Sequence, residues 1–187
     1  MLKKLEEYGK YVEITGFRNV KIENPKQFLN SLNLEVGDNL EVQFFNADLV
    51  ATWQHLYFAA LNALMAFRAN RNISKTLAVE TALYASAQRQ IKKALDLIGI
   101  KPTSKNIAVL LISENKESIK LAACAVSKRM DANADETVLY LSKKKNVNIM
   151  NVFEISEGEL EDSSLGEIDN RLIDSVIERV ALLSTRL

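Results

Sequence analysis

Cysteine and histidine each occur once in these 187 residues, and proline and glycine are nearly as scarce, at two and six. One thiol and one imidazole cannot assemble a zinc site of the usual His/Cys ligand types. The glycines, at positions 9, 16, 37, 99, 158 and 166, are too dispersed for a P-loop or a dinucleotide-binding fingerprint. Cys124 has no partner for a bridge within the chain. It lies in the apolar run Leu121-Ala122-Ala123-Cys124-Ala125-Val126, which predicts a buried structural thiol and suits a reducing cytoplasm. No run approaches the ~18 uninterrupted apolar residues of a membrane span. The acidic pair Glu6-Glu7 stands where a signal peptide needs an apolar core, so export is not expected. Net charge is zero, which on the total alone argues against nucleic acid as a partner.

What remains is an ordinary globular composition, 48% hydrophobic and 26% charged, in a length that suits one domain spanning 1–187. The zero net charge hides a segregation. Between Arg68 and Lys93 the basic residues Arg68, Arg71, Lys75, Arg89, Lys92 and Lys93 oppose one acid, Glu80. Between Glu154 and Glu178 the order reverses: Glu154, Glu157, Glu159, Glu161, Asp162, Glu167, Asp169, Asp174 and Glu178 oppose Arg171 alone. These runs read either as solvated faces or as two surfaces for two different partners.

Periodicity places the elements. Tyr11–Phe17, Val20–Ile22 and Leu40–Phe44 read as strands, with a turn at Gly37-Asp38-Asn39 and a short helix opened by Asn24-Pro25 through Phe28 and Leu29. Leu49, Trp53, Leu56, Ala60, Leu64 and Phe67 recur at three and four, which predicts a long helix from Asp48 to Ala69. A second helix from Ser74 past Leu83 and a third through Ile91, Ala94, Leu95 and Ile98, closed by Gly99 as C-cap, make a helical layer with short connections that Pro102 ends. Asn106–Ile112 is an apolar run of strand length, expected in the buried middle of a sheet. Ser113 is the expected cap of a helix carrying Ile119, Ala122, Ala123 and Val126. A mixed segment around Val138–Leu141 and the lysine cluster Lys143, Lys144 and Lys145 follow. Ser156-Glu157-Gly158-Glu159 has capping-box spacing, and a helix from Leu165 to Leu183 closes the chain. Strands and helices without regular βαβ alternation predict an α+β fold, a small mixed or antiparallel sheet packed with a layer of several helices.

Catalytic machinery is thin. Cys124 has no neighbouring charge to activate it, so a Cys124–His55 pair has little behind it. His55 lies beside the main stripe of the long helix, in line with Thr52, Ala59 and Asn62, and is expected to pack inside and donate to a backbone carbonyl. A small-molecule enzyme using Glu80 or His55 as base is the alternative from another class. The basic stretch is more specific than a random charge run. Arg68–Thr76 is a polar loop ending at a helix N-terminus, where free backbone N–H groups and a positive dipole end face an anion. With antiparallel helices, that loop and the Ala85–Gln90 turn lie at opposite ends of the second helix, roughly 15 Å apart. One phosphate is too small to touch both; an extended oligonucleotide is not.

The order of His55 and Ala59 on a long helix, then Asn72 to Glu80, then Arg89-Gln90-Ile91 and finally Gly99-Ile100 resembles the PRPK-binding protein (TPRKB) family, small subunits of the KEOPS complex. The likeness is densest over residues 53–112. It implies a non-catalytic subunit without a cofactor. Such a subunit binds the complex's small atypical kinase/ATPase and supports the synthesis of threonylcarbamoyladenosine in tRNA. It meets the other KEOPS subunits indirectly. Archaeal members are further implied to recruit tRNA by its single-stranded 3′ CCA end, which basic contacts to phosphate and side chains holding splayed bases would grip. On that implication the nucleic-acid-binding candidates are Arg68, Arg71, Asn72, Ile73, Lys75, Thr76, Arg89 and Gln90, with Tyr84 the one aromatic of the stretch. The apolar positions of the last helix cover about half its circumference, wider than the ~100° stripe one core requires. Part of that face, with Leu172, Ile173, Val176, Ile177 and Val180, is the candidate kinase contact, the other reading being cover by a helix of the same chain. A kinase regulator with no direct tRNA contact is the alternative within the same family.

Overall fold

The computed structural model describes residues 1–36, 40–160 and 168–185. Among them are four strands, β1 (Leu2–Leu5), β2 (Lys10–Phe17), β3 (Leu40–Asn46) and β4 (Ile107–Ser113). The helices are α1 (Pro25–Val36), α2 (Trp53–Arg68), α3 (Leu77–Ala85), α4 (Ile91–Ile98), α5 (Lys116–Met130), α6 (Lys143–Phe153) and α7 (Ile168–Leu182). The strands form one antiparallel sheet in the order β1-β2-β4-β3, so the apolar run predicted for the middle does lie between two neighbours. The fold is α+β.

Every residue of β4 is buried because both of its faces are covered. Side chains alternate across a strand. Ala108, Leu110 and Ile112 join a core with α2, α3, α4 and the end of α7. Ile107, Val109 and Leu111 join another with Phe17, Phe44 and the inner face of α5, against which Phe28 and Leu29 of α1 pack. A third cluster holds α6 and α7 together through Ile149, Phe153, Leu172 and Val176. Burial of such side chains contributes about 1.5–3 kcal/mol each.

Several local expectations change. Leu2–Leu5 is an edge strand that its two central lysines concealed. Val20–Ile22 is not a strand: Asn19 takes φ 57°, and Val20 and Ile22 are buried beyond the end of the ladder. The long helix begins at Trp53, after a 3-10 turn at Ala47–Leu49 capped by Asn46. Asn115, not Ser113, caps α5, its Oδ1 accepting from the amides of Glu117 and Ser118, while Ser113 Oγ accepts from Asn115 N–H. Cys124 is exposed, because the buried residues of α5 are Ile119, Ala122, Val126 and Met130 and Cys124 falls outside that phase. The turn at Gly37-Asp38-Asn39, the helix start at Leu165, and Glu161, Asp162 and Glu167 lie outside the described residues. The capping box at Ser156 forms, with Glu159 accepting from Ser156 N–H at 2.9 Å around a 3-10 turn.

Two glycines are set by close approach. Gly99 does not take a left-handed cap conformation. It is extended (φ −69°, ψ 164°) and bridges to Phe45, and a Cβ there would stand 2.4 Å from Leu95 O. At Gly16 a Cβ would meet Val138 Cγ2 at 2.3 Å and Asp135 O at 2.7 Å, where the 3-10 turn Glu136–Leu139 crosses β2. Gly16→Ala is therefore expected to cost about 1–3 kcal/mol by overpacking, seen as a lower urea midpoint with an unchanged m-value.

Candidate functional site

The basic loop between α2 and α3 is shaped from below by one carboxylate. Glu80, the single acid of that stretch, is 1% exposed, and its Oε2 accepts from the backbone N–H of Ile73 at 2.9 Å and of Ser74 at 2.7 Å. The loop is further closed by Asn72 Nδ2 donating to Ser74 O and by Ser74 Oγ donating to Thr76 O. A carboxylate with two backbone donors is anchoring a loop, which argues against its use as a general base. Both ends of the loop are helix termini. Asn70 at the end of α2 takes φ 52°, and Thr76 caps α3 through Val79 N–H. The N-terminus of α3 differs from expectation. Glu41 of β3 accepts from Ala78 N–H at 2.9 Å, so the protein's own carboxylate already takes part of that positive end.

His55 fixes the other end of α3. Its Nδ1 accepts from Ala51 N–H at 3.2 Å and its Nε2–H donates to Ala85 O at 2.8 Å, the tautomer being set by these two partners. The ring is fully buried, with Phe153 edge-on at 5.5 Å. Burial pushes its pKa down to about 4, the Ala85 hydrogen bond opposing that and the Lys145 charge adding to it. His55 is the packed, donating histidine that its place on the helix predicts.

Between these anchors lies a groove of about 600 Å³. Arg71 and Ile73 line it from the loop, Glu80 and Tyr84 from α3, and Arg89 from the turn beyond. Met65 of α2, Ala69 just after it and Leu183–Thr185 after α7 complete the wall. The loop and the Arg89 turn do flank α3, yet a single groove joins them. Ile73 (42% exposed) and Met65 (52% exposed) give it free apolar surface. Tyr84 is 6% exposed, which leaves no ring face free for stacking. Burial raises the Tyr84 phenol above its ordinary pKa, with the Glu80 charge adding to the effect, so it stays a donor at neutral pH.

Of the eight predicted residues, the groove gathers Arg71, Ile73 and Arg89. Arg68 is exposed with its guanidinium 5.8 Å over the Tyr8 ring, and Asn72 and Thr76 serve loop and cap. Lys75 and Gln90 are exposed outside the groove's lining. Met65 and the 183–185 rim were not foreseen. Their signal is weak, an apolar residue on the outer face of a helix and a chain segment far away in sequence. On α7, Leu172, Val176 and Val180 are fully buried by the chain itself, so they serve its own core. Ile173 and Ile177 remain half-buried beside them. Arg179 draws in part of the acidic end, donating to Glu159 at 2.9 Å and to Phe153 O at 2.7 Å. Among the described residues there is no cluster of metal-binding side chains and no helix long and apolar enough to cross a membrane.

Residues 17–184 match the family described as kinase binding protein CGI-121. The chain belongs to that family. It is also similar to the Regulatory protein Cgi121 of Methanocaldococcus jannaschii, 28% identical over 173 residues that cover 92% of this chain and 97% of the relative. The resemblance read from His55, Asn72–Glu80 and Arg89-Gln90-Ile91 is thus met at the level of the family. For this CGI-121 family member, a regulatory, kinase-binding role accords with two titratable residues, His55 and Glu80, held in structural hydrogen bonds.

Two outcomes follow. Glu80→Ala leaves two loop amides without an acceptor, at about 1–3 kcal/mol each, and hydrogen exchange at Ile73 and Ser74 is expected to accelerate. His55 has a folded pKa of about 4 against an ordinary 6.5, so the fold binds fewer protons between those values. Its contribution is complete above pH 6.5 and is lost as pH falls towards 4, about 3 kcal/mol at most. His55→Gln, which cannot titrate, is expected to flatten that limb of the stability–pH curve in urea titrations.

Proposed function

We propose that this chain is the non-catalytic kinase-binding subunit of the KEOPS complex, which makes threonylcarbamoyladenosine in tRNA. In this reading it recruits tRNA through the single-stranded 3′ CCA end and works in the cytoplasm. The observation that carries the tRNA part is the groove in which Arg71 and Arg89 flank α3 with exposed Ile73 and Met65 between and beside them. Single-stranded nucleic acid needs cations for phosphates and apolar surface for splayed bases. With Tyr84 buried, Ile73 and Met65 take the part that aromatic side chains play elsewhere. The kinase part follows from family membership. Its contact surface in this reading is the outer side of α7, where Ile173 and Ile177 stay accessible.

Arg71→Glu with Arg89→Glu is expected to weaken binding of tRNA with a free CCA end by about tenfold or more per arginine, as removal of charge-assisted hydrogen bonds implies. The salt dependence should flatten by about 1.4 in the slope of log K against log salt, since two phosphates of a single strand are no longer neutralised. Lys75→Glu, outside the groove, is expected to have the smaller effect, and co-purification of the kinase should survive all three changes. Unchanged tRNA affinity in the double variant would leave a kinase regulator without direct tRNA contact.

A further inference from the structure

Two lysines at the start of α6, Lys144 and Lys145, have no part in the reading above, and they line a second cavity. This space of about 240 Å³ is lined by Arg18, Asp48, Asn106, Lys144, Lys145 and Asn148, among others. Asp48 lies just before α2, whereas the groove takes Asn62, Met65 and Ala66 from that helix's second half. Asn62, the first residue of α2 to line the groove, lies nine residues beyond the helix start, so the two sites are set apart by roughly 14 Å along the helix.

We infer that this cavity is a binding site for a small oxyanion of the phosphate class. Lys145 is 6% exposed, and among the described residues its ammonium makes one hydrogen bond, to Val138 O at 2.8 Å. An ammonium carries three donors, and burying it under-partnered is costly unless a counter-charge arrives. Burial pulls its pKa down to about 8, with Asp48 opposing the shift, so at neutral pH it is still largely protonated. Asp48 is held by Asn106 Nδ2 at 3.0 Å. Arg18 is fixed by Asp135 and Thr137, both at 2.6 Å. Lys144 is exposed at the wall, and α6 begins here behind the Ser142 cap, bringing the positive end of an 11-residue helix. Three cations against Asp48 on the wall and Asp135 behind Arg18 leave one positive charge in excess. The amides of Asn106 and Asn148 add neutral donors. A single oxyanion would neutralise that excess and accept from the donors these groups leave open.

The test uses the full chain and does not touch the groove, so its result is independent of tRNA binding. Inorganic phosphate, then methyl phosphate, is titrated at constant ionic strength while backbone amide shifts are followed by NMR. Saturable shifts centred on Tyr140–Lys145 and Asn148, with a rise in Tm on phosphate, are expected, and tighter binding of methyl phosphate would identify a monoester as the ligand type. Lys145→Met should raise Tm without phosphate and abolish the phosphate-dependent rise. Should that variant fail to fold, Lys144→Glu and Asn148→Asp, at accessible positions, are expected to weaken phosphate binding at least tenfold. Shifts that fail to saturate, that chloride reproduces, or that survive Lys144→Glu and Asn148→Asp unchanged would overturn the site.

Discussion

A central strand that is apolar on both faces obliges the rest of the chain to cover it twice. β4 has that character from Ile107 to Ile112, and the layers follow from it. α1 and α5 close one side, and α2, α3 and α4 close the other. Antiparallel sheets often leave one face wet; this one cannot, because Val109 and Leu111 would then meet water opposite Ala108 and Leu110. The helical layer that carries the groove is thus present first as a lid on hydrocarbon. Function has been added at the connections of that lid, where backbone is free to take shapes that core packing does not dictate.

Those connections are held by buried and half-buried polar groups. Glu80 gathers two loop amides, His55 joins the approach to α2 to the end of α3, and Glu41 reaches across from β3 to the first turn of α3. Each anchor satisfies backbone groups that have no partner in a regular ladder. The geometry of the groove therefore depends on hydrogen-bonded groups beneath it, while its cations, Arg71 and Arg89, stay exposed. This separation lets surface charge vary without loosening the frame.

The fold was largely legible because helical and strand periodicities carry it. The three-and-four spacing from Trp53 to Phe67 and the apolar run to Ile112 each reported burial directly. Misreadings arose where a local signal lacked its tertiary partner. Val20 and Ile22 are apolar because a core reaches past the end of the sheet, and Leu2–Leu5 is a strand because β2 offers it an edge. Cys124 sits in the apolar run Leu121–Val126, yet the helical phase of Ile119, Ala122 and Val126 leaves it on the outer face of α5. At the site, charge and spacing pointed to Arg71 and Arg89, but only the packing of α7's end against α2 shows that they share a groove. The burial of Lys145 had no sequence signal, since the two lysines that precede it, Lys143 and Lys144, are exposed.

The exposed thiol of α5 has a practical meaning. In a chain with no other cysteine it is a unique thiol. It stands on the helix that covers the Val109–Leu111 face, while the groove belongs to the layer over the opposite face. A maleimide dye attached there would be chemically homogeneous and across the sheet from the groove, a built-in position for reading distances to a bound partner.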